Sequence, residues 1–144
     1  MTNAVERDRV LRAYIGGRQW DTNPEFGLVR RLIVEGDPLL EGFPLVWDYE
    51  WEVYAGRSDG GCGDLVFTDG DGSFAVVEVK FIDSGVSGST ARVNRTKGRK
   101  KVREQALRYA DALRRSPIGE GALVVALALT NERGGLRSAE DTDT

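Results

Sequence analysis

Two apolar runs of strand length, joined by a turn rich in glycine and aspartate, most constrain what this chain can fold into. Residues 61–80 read "GCGDLVFTDGDGSFAVVEVK". "DLVF" and "FAVVEVKFI" are too short for helices and carry the β-branched and aromatic residues that favour strands. "TDGDGS" between them supplies the left-handed conformations of a hairpin loop. The two strands therefore pair antiparallel. The second is apolar on both faces at its start, so it belongs in the middle of a sheet.

The flanking segments extend this frame. "PLVWDYEWEVYA" (residues 44–55) alternates, with Val46, Asp48, Glu50, Glu52 and Tyr54 on one face and Leu45, Trp47, Tyr49, Trp51 and Val53 on the other, as in a half-buried strand. "GRSDGGCG" reads as a turn, with Cys62 a small residue within it. "DSGVSGST" reads as a flexible loop. Val102, Ala106, Tyr109, Ala110 and Leu113 share one face of a long helix predicted over residues 97–115. "ALVVALALT" (residues 122–130) is a fourth strand, buried on both faces.

Two helices precede the strands. Val5, Val10, Leu11, Tyr14 and Ile15 recur at roughly helical spacing and end at Gly16 and Gly17. In "DTNPEFGLVRRLIVEG" Asn23 is the N-cap, Pro24 opens the helix and Glu25 lies in its first turn. Leu28, Val29, Leu32 and Ile33 form its apolar face, and Gly36 stops it. One domain is expected over residues 1–131, followed by a flexible acidic tail over 132–144.

Composition removes several chemistries. There is no histidine and one cysteine in 144 residues, so Ser–His–Asp and Cys–His catalysis, histidine metal ligands and an internal disulfide are excluded. No apolar run approaches the ~20 residues of a membrane span, and the first residues lack the apolar core of a signal peptide. A cytoplasmic, reducing compartment is expected. The net charge of −3 conceals a basic run, "RVNRTKGRKKVR", with seven basic residues and no acid. Arg92, Arg95, Lys97, Arg99, Lys100 and Lys101 are candidate contacts to the phosphates of a nucleic acid.

Alternation places Val76, Glu78 and Lys80 on one face of the third strand, and Asp64 with Val66 on one face of the second. Antiparallel pairing brings the start of the second strand beside the end of the third, so Asp64, Glu78 and Lys80 converge at one edge. Two adjacent carboxylates repel unless a cation neutralises them. Mg²⁺, with Mn²⁺ as a substitute, takes one or two carboxylates plus water and phosphate oxygens. Lys80 would stand beside the attacked phosphate or its water.

These residues resemble the PD-(D/E)xK nuclease superfamily, in the form Asp64, thirteen intervening residues, then Glu78-Val79-Lys80. Gln105 and Tyr109 in "QALRY" match the Q-x-x-x-Y pattern of its RecB-like and phage exonuclease-like branch. The resemblance spans roughly residues 25–130, although Gly63 stands where the family pattern has proline. It implies a restriction-endonuclease-like α-β-β-β-α-β core over about residues 24–130, with a four-stranded mixed sheet flanked by helices. It also implies Asp64, Glu78 and the Val79 carbonyl as metal ligands, Lys80 as the catalytic lysine, and Gln105 and Tyr109 as supports. Glu25, or else Glu35, would be a further acid from the preceding helix. The expected activity is Mg²⁺-dependent hydrolysis of DNA phosphodiester bonds, with specificity from dimerisation or a partner protein. The alternatives are a non-cleaving nucleic-acid-binding module and a protein-interaction domain built on the aromatics of the first strand. Trp20, Trp47 and Trp51 are candidates for base stacking, although core or dimer packing is the expected role of Trp47 and Trp51.

Overall fold

The computed structural model describes residues 3–54, 57–83 and 87–141. Helices α1 (Ala4–Gly17) and α2 (Pro24–Glu35) lead through a short 3₁₀ turn (Pro38–Leu40) into strands β1 (Leu45–Tyr54), β2 (Arg57–Thr68) and β3 (Ser73–Lys80). Helix α3 (Ser89–Arg115) then crosses to β4 (Leu123–Thr130), and β5 (Leu136–Ser138) closes the sheet. The five strands lie in chain order, antiparallel throughout except for the parallel pair β3–β4. Parallel neighbours need a long crossover, and α3 provides it.

Local chemistry explains the elements. The Asn23 side chain accepts the Glu25 N–H at 2.9 Å and caps α2, with Pro24 in the first turn. In the β2–β3 hairpin the Asp69 carboxylate accepts the N–H groups of Asp71 and Ser73 at 2.7 and 3.0 Å, while Gly70 takes φ +81°. Every residue from Phe74 to Val79 is buried, as expected of a central strand.

The sheet separates two apolar layers. Ile15, Phe26, Val29 and Leu32 of the first two helices pack on Val46, Leu65, Phe67, Ala75, Val77 and Leu127. Ala106, Tyr109, Ala110 and Leu113 of α3 pack on the opposite face, against Trp51, Val66, Val76 and Ala126. The architecture is thus an α/β arrangement with helices on both sides of a mixed sheet, and α2–β1–β2–β3–α3–β4 follows the expected succession.

Four expectations are corrected. The sheet has five strands, not four: the stretch read as a frayed tail contains β5, whose Leu136 is buried together with the neighbouring Ala139. Helix α3 begins at Ser89, not Lys97, so the basic run is helical and the Gly/Ser loop is shorter. Residues 84–86 of that loop lie outside the described residues. Residues 57–63, read as a turn with Cys62 in it, extend β2 instead, and residues 55–56 fall outside the described set. Glycine is tolerated in that extension because large side chains lie directly over the backbone (below).

Nor does β1 alternate simply. A register shift at Trp47 and a left-handed Glu50 (φ +51°) re-aim the strand. Val46 and Tyr49 consequently pack with the first two helices, and Trp47, Trp51 and Val53 on the α3 side.

Candidate functional site

Register builds the site. Leu65 pairs with Val77, so the next residues outward, Asp64 and Glu78, face each other where the ladder ends. Both lie on the α3 side of the sheet, as Val66 and Val76 do. The Asp64 N–H donates to Glu78 Oε2 at 2.9 Å, and the Val79 N–H donates to Asp64 Oδ2 at 2.8 Å. Each carboxylate is thereby tied to the other residue's strand. Because a strand residue presents its N–H and C=O on one side, the Val79 carbonyl also leaves β3 toward Asp64.

Burial makes this pair unusual. Glu78 is 3% exposed, and neither carboxylate forms an ion pair among the described residues. Desolvation pushes Asp64 up to about 6, with the charges of Glu25 and Glu50 adding to the rise. Desolvation and then the charge of Asp64 push Glu78 up to about 9, with Arg108 opposing. Of the two, Glu78 is the more strongly held in its protonated form.

Lys80 and Glu25 border the pair. The Glu25 carboxylate accepts the Phe81 N–H at 3.1 Å and lies 4.0 Å from Lys80 Nζ. That ion pair is half exposed, so it orients Lys80 without locking it. Ile82 exchanges two hydrogen bonds with the Asn131 side chain, at 2.6 and 2.9 Å, which pins the chain leaving β3 to the end of β4. Glu35, the other candidate acid, is paired with Arg31 at 2.8 Å. It lies ten residues further along α2, about 15 Å from Glu25.

Tyr109 acts on the site through the β2 backbone. A Cβ at Gly61 would lie 2.6 Å from its hydroxyl, and a Cβ at Gly63 would lie 2.2 Å from Trp51 Nε1. The Trp51 and Tyr109 rings meet edge to face, with centroids 6.3 Å apart. The glycines before Asp64 therefore admit two aromatic side chains that fix the strand carrying it. Gln105 is half-buried one turn before Tyr109, and no hydrogen bond to its side chain is found among the described residues.

The basic run divides. Arg95 lines a cavity of about 550 Å³ that also contains Lys80, Ile82, Ser89, Thr90 and Asn94. Arg99 makes a two-pronged ion pair with Glu132 at 2.6 and 2.8 Å. Lys100 lies 3.9 Å from Glu104. Arg92, Lys97 and Lys101 are exposed along α3. Among the tryptophans, Trp20 is 74% exposed beside Arg18, whereas Trp51 is buried and Trp47 packs edge-on against Phe74.

Sequence reasoning missed Glu50. It sits one β1 residue from Tyr49 and Trp51, which flank the register position of Asp64, and its side chain accepts from Arg18 at 2.8 Å. Alternation gave no hint of its left-handed backbone. The glycine-rich "GGCGD" beside an aromatic strand was the available signal for the Trp51 and Tyr109 packing.

Among the described residues no three acidic, histidine or cysteine side chains converge as a ready ligand set. The side chains that could donate to a cation are Asp64 and Glu78. Two facing oxygen donors, raised in pKa first by burial and then by neighbouring carboxylates, with a main-chain carbonyl adjacent, fit a hard divalent ion that keeps part of its water. Comparison with protein-family models, curated proteins and solved structures returns no match.

Proposed function

We propose that this chain is a metal-dependent nuclease that hydrolyses phosphodiester bonds in DNA. Asp64, Glu78 and the Val79 carbonyl would hold Mg²⁺, with Mn²⁺ as a substitute. The observation that carries the reading is the pair of facing carboxylates, Glu78 buried and Asp64 half-buried, without an ion-pair partner among the described residues. Such a pair is costly to bury unless a cation joins it. A bound divalent ion supplies charge stabilisation on the phosphate and a water of lowered pKa.

The chain's own groups supply the rest. Lys80 Nζ, held loosely by Glu25, donates to the attacked phosphate or orients the water and offsets negative charge as it develops. Tyr109 and Trp51, through Gly61 and Gly63, keep Asp64 in register with Glu78. Arg95 shares a cavity with Lys80, so a neighbouring phosphate of the same strand can be gripped beside the scissile one. The exposed indole of Trp20 offers a stacking surface for a base.

The test is a panel of labelled substrates (single strand, duplex, flap, four-way junction and RNA) incubated with Mg²⁺ or Mn²⁺. The expected result is metal-dependent cleavage of at least one DNA substrate, reduced about 100-fold or more in Lys80→Ala. Salt-sensitive binding with no cleavage of any substrate would overturn the reading. So would a Glu78→Ala variant as active as the parent.

A further inference from the structure

A second charged cavity lies on the α3 side of the sheet, across β4 from the carboxylate pair. Its volume is about 310 Å³, and its lining includes Arg99, Arg103, Arg133 and Arg137 together with Glu132 and Asp141. Among the described residues that line it, four guanidinium groups face two carboxylates around one small space. Converging like charges are unfavourable until an anion joins them.

The framework of the cavity is built. Arg99 is fixed by its two-pronged bond to Glu132. The turn between β4 and β5 closes through the Gly135 N–H to Glu132 O bond at 2.9 Å, and the Thr130 N–H donates to Gly135 O at 3.2 Å. Gly134, at φ +99°, lets the Arg137 guanidinium approach so closely that a Cβ there would lie 3.0 Å from its Nε and 3.2 Å from Nη2. Arg103, half-buried on α3, and Arg133, at the rim, form no ion pair among the described residues. The carboxylates organise one side of the ring and leave these two forks available.

We infer that the Arg99–Arg103–Arg133–Arg137 cavity binds a phosphate group. Guanidinium forks match phosphate oxygens two at a time and are weakly hydrated, which suits a partly enclosed site. The volume lies at the lower limit of ligand pockets, about 300 Å³, and so fits a phosphate group rather than a whole nucleotide. The cavity shares the C-terminal edge of the parallel β3–β4 pair with Glu78 and Lys80, since Glu78 pairs with Ala128 and Lys80 with Thr130. Ligands of open α/β sheets gather at that edge. Phosphate there can come from a nucleic-acid strand or from a small phosphorylated molecule. The inference holds whether or not the carboxylate pair cleaves DNA.

The test uses the full chain in EDTA-containing buffer at constant ionic strength. Calorimetric titrations are made with orthophosphate, with a 5′-phosphorylated thymidine hexanucleotide and with the same oligonucleotide lacking the terminal phosphate. Saturable binding of at least one probe is expected. It should weaken about 10- to 100-fold in both Arg103→Gln and Arg133→Gln and persist in Arg9→Gln, at an exposed arginine of α1. The two arginine variants should unfold at the parent's temperature, because neither side chain has an ion pair to lose. Tighter binding of the 5′-phosphorylated oligonucleotide than of orthophosphate assigns the phosphate to a nucleic acid, and the reverse assigns it to a small molecule. Absence of saturable binding by all three probes, or parental affinity in both arginine variants, would overturn the inference.

Discussion

Gly63→Ala should unlock the strand that carries Asp64, and the structure sets the size of the effect. A methyl group at position 63 would stand 2.2 Å from Trp51 Nε1, 2.5 Å from Cε2 and 2.9 Å from Cδ1. Comfortable contact needs about 3.5 Å, so the indole or the strand must shift by roughly 1.3 Å. Trp51 is buried and abuts Tyr109, so the ring has little room to withdraw. Overpacking of this kind costs about 1–3 kcal/mol, which lowers the melting temperature of a domain this size by about 3–12 °C. The backbone at Gly63 is not left-handed, so sterics alone carry the effect. Scanning calorimetry of Gly63→Ala, Trp51→Leu and the double variant measures it. Trp51→Leu is itself destabilising, but it makes space, so the double variant should be no less stable than Trp51→Leu alone. The coupling energy should exceed about 1 kcal/mol. Gly27→Ala is the control: nothing lies within 4 Å of a Cβ there, in the interior of α2, and it should stabilise by about 0.5–1 kcal/mol. A Gly63→Ala variant as stable as the parent, or strictly additive single effects, would refute the packing argument.

Two further outcomes follow from the same features. Asp64 and Glu78 hold protons in the folded state to higher pH than in the unfolded chain. Their contribution to stability is therefore full below about pH 4 and is lost as pH rises through about 6 and then about 9. In EDTA the urea midpoint should fall over that window, and Glu78→Gln, which keeps an acceptor for the Asp64 N–H, should flatten the fall. Leu136→Ala, in the buried edge strand β5, should cost about 2–3 kcal/mol by urea unfolding. A change below about 0.5 kcal/mol would show β5 to be dispensable.

The parts of this molecule that were legible in the sequence are those where one local rule acts alone. The Asn23–Pro24 helix start, the Asp69–Gly70 hairpin and the apolar β3 run each carry a complete signal within a few residues. The facing of Asp64 and Glu78 followed from two such signals combined with antiparallel pairing. What remained hidden depends on tertiary partners. Residues 57–63 look like a turn because four glycines fall in or next to them, yet Tyr109 and Trp51 require bare backbone at Gly61 and Gly63. Leu136 and Ala139 sit in a polar context, and only the β4 edge gives them a place to be buried. Glu50 takes a left-handed conformation that no strand propensity anticipates, with Arg18 holding its carboxylate. The arginine cavity joins α3 to the β4–β5 turn, so its two pairs of arginines, 99/103 and 133/137, are 30 or more residues apart.

The claim on which the functional account rests is that the facing carboxylates of Asp64 and Glu78 are a divalent-cation site. Calorimetric titration of the metal-free protein with Mn²⁺ near pH 7.5 tests it most directly. Saturable binding accompanied by proton release is expected, since a carboxyl of raised pKa must give up its proton to ligate the ion, with both signals lost in Glu78→Gln. Unchanged Mn²⁺ affinity in Glu78→Gln, or no binding to the parent protein, would contradict it.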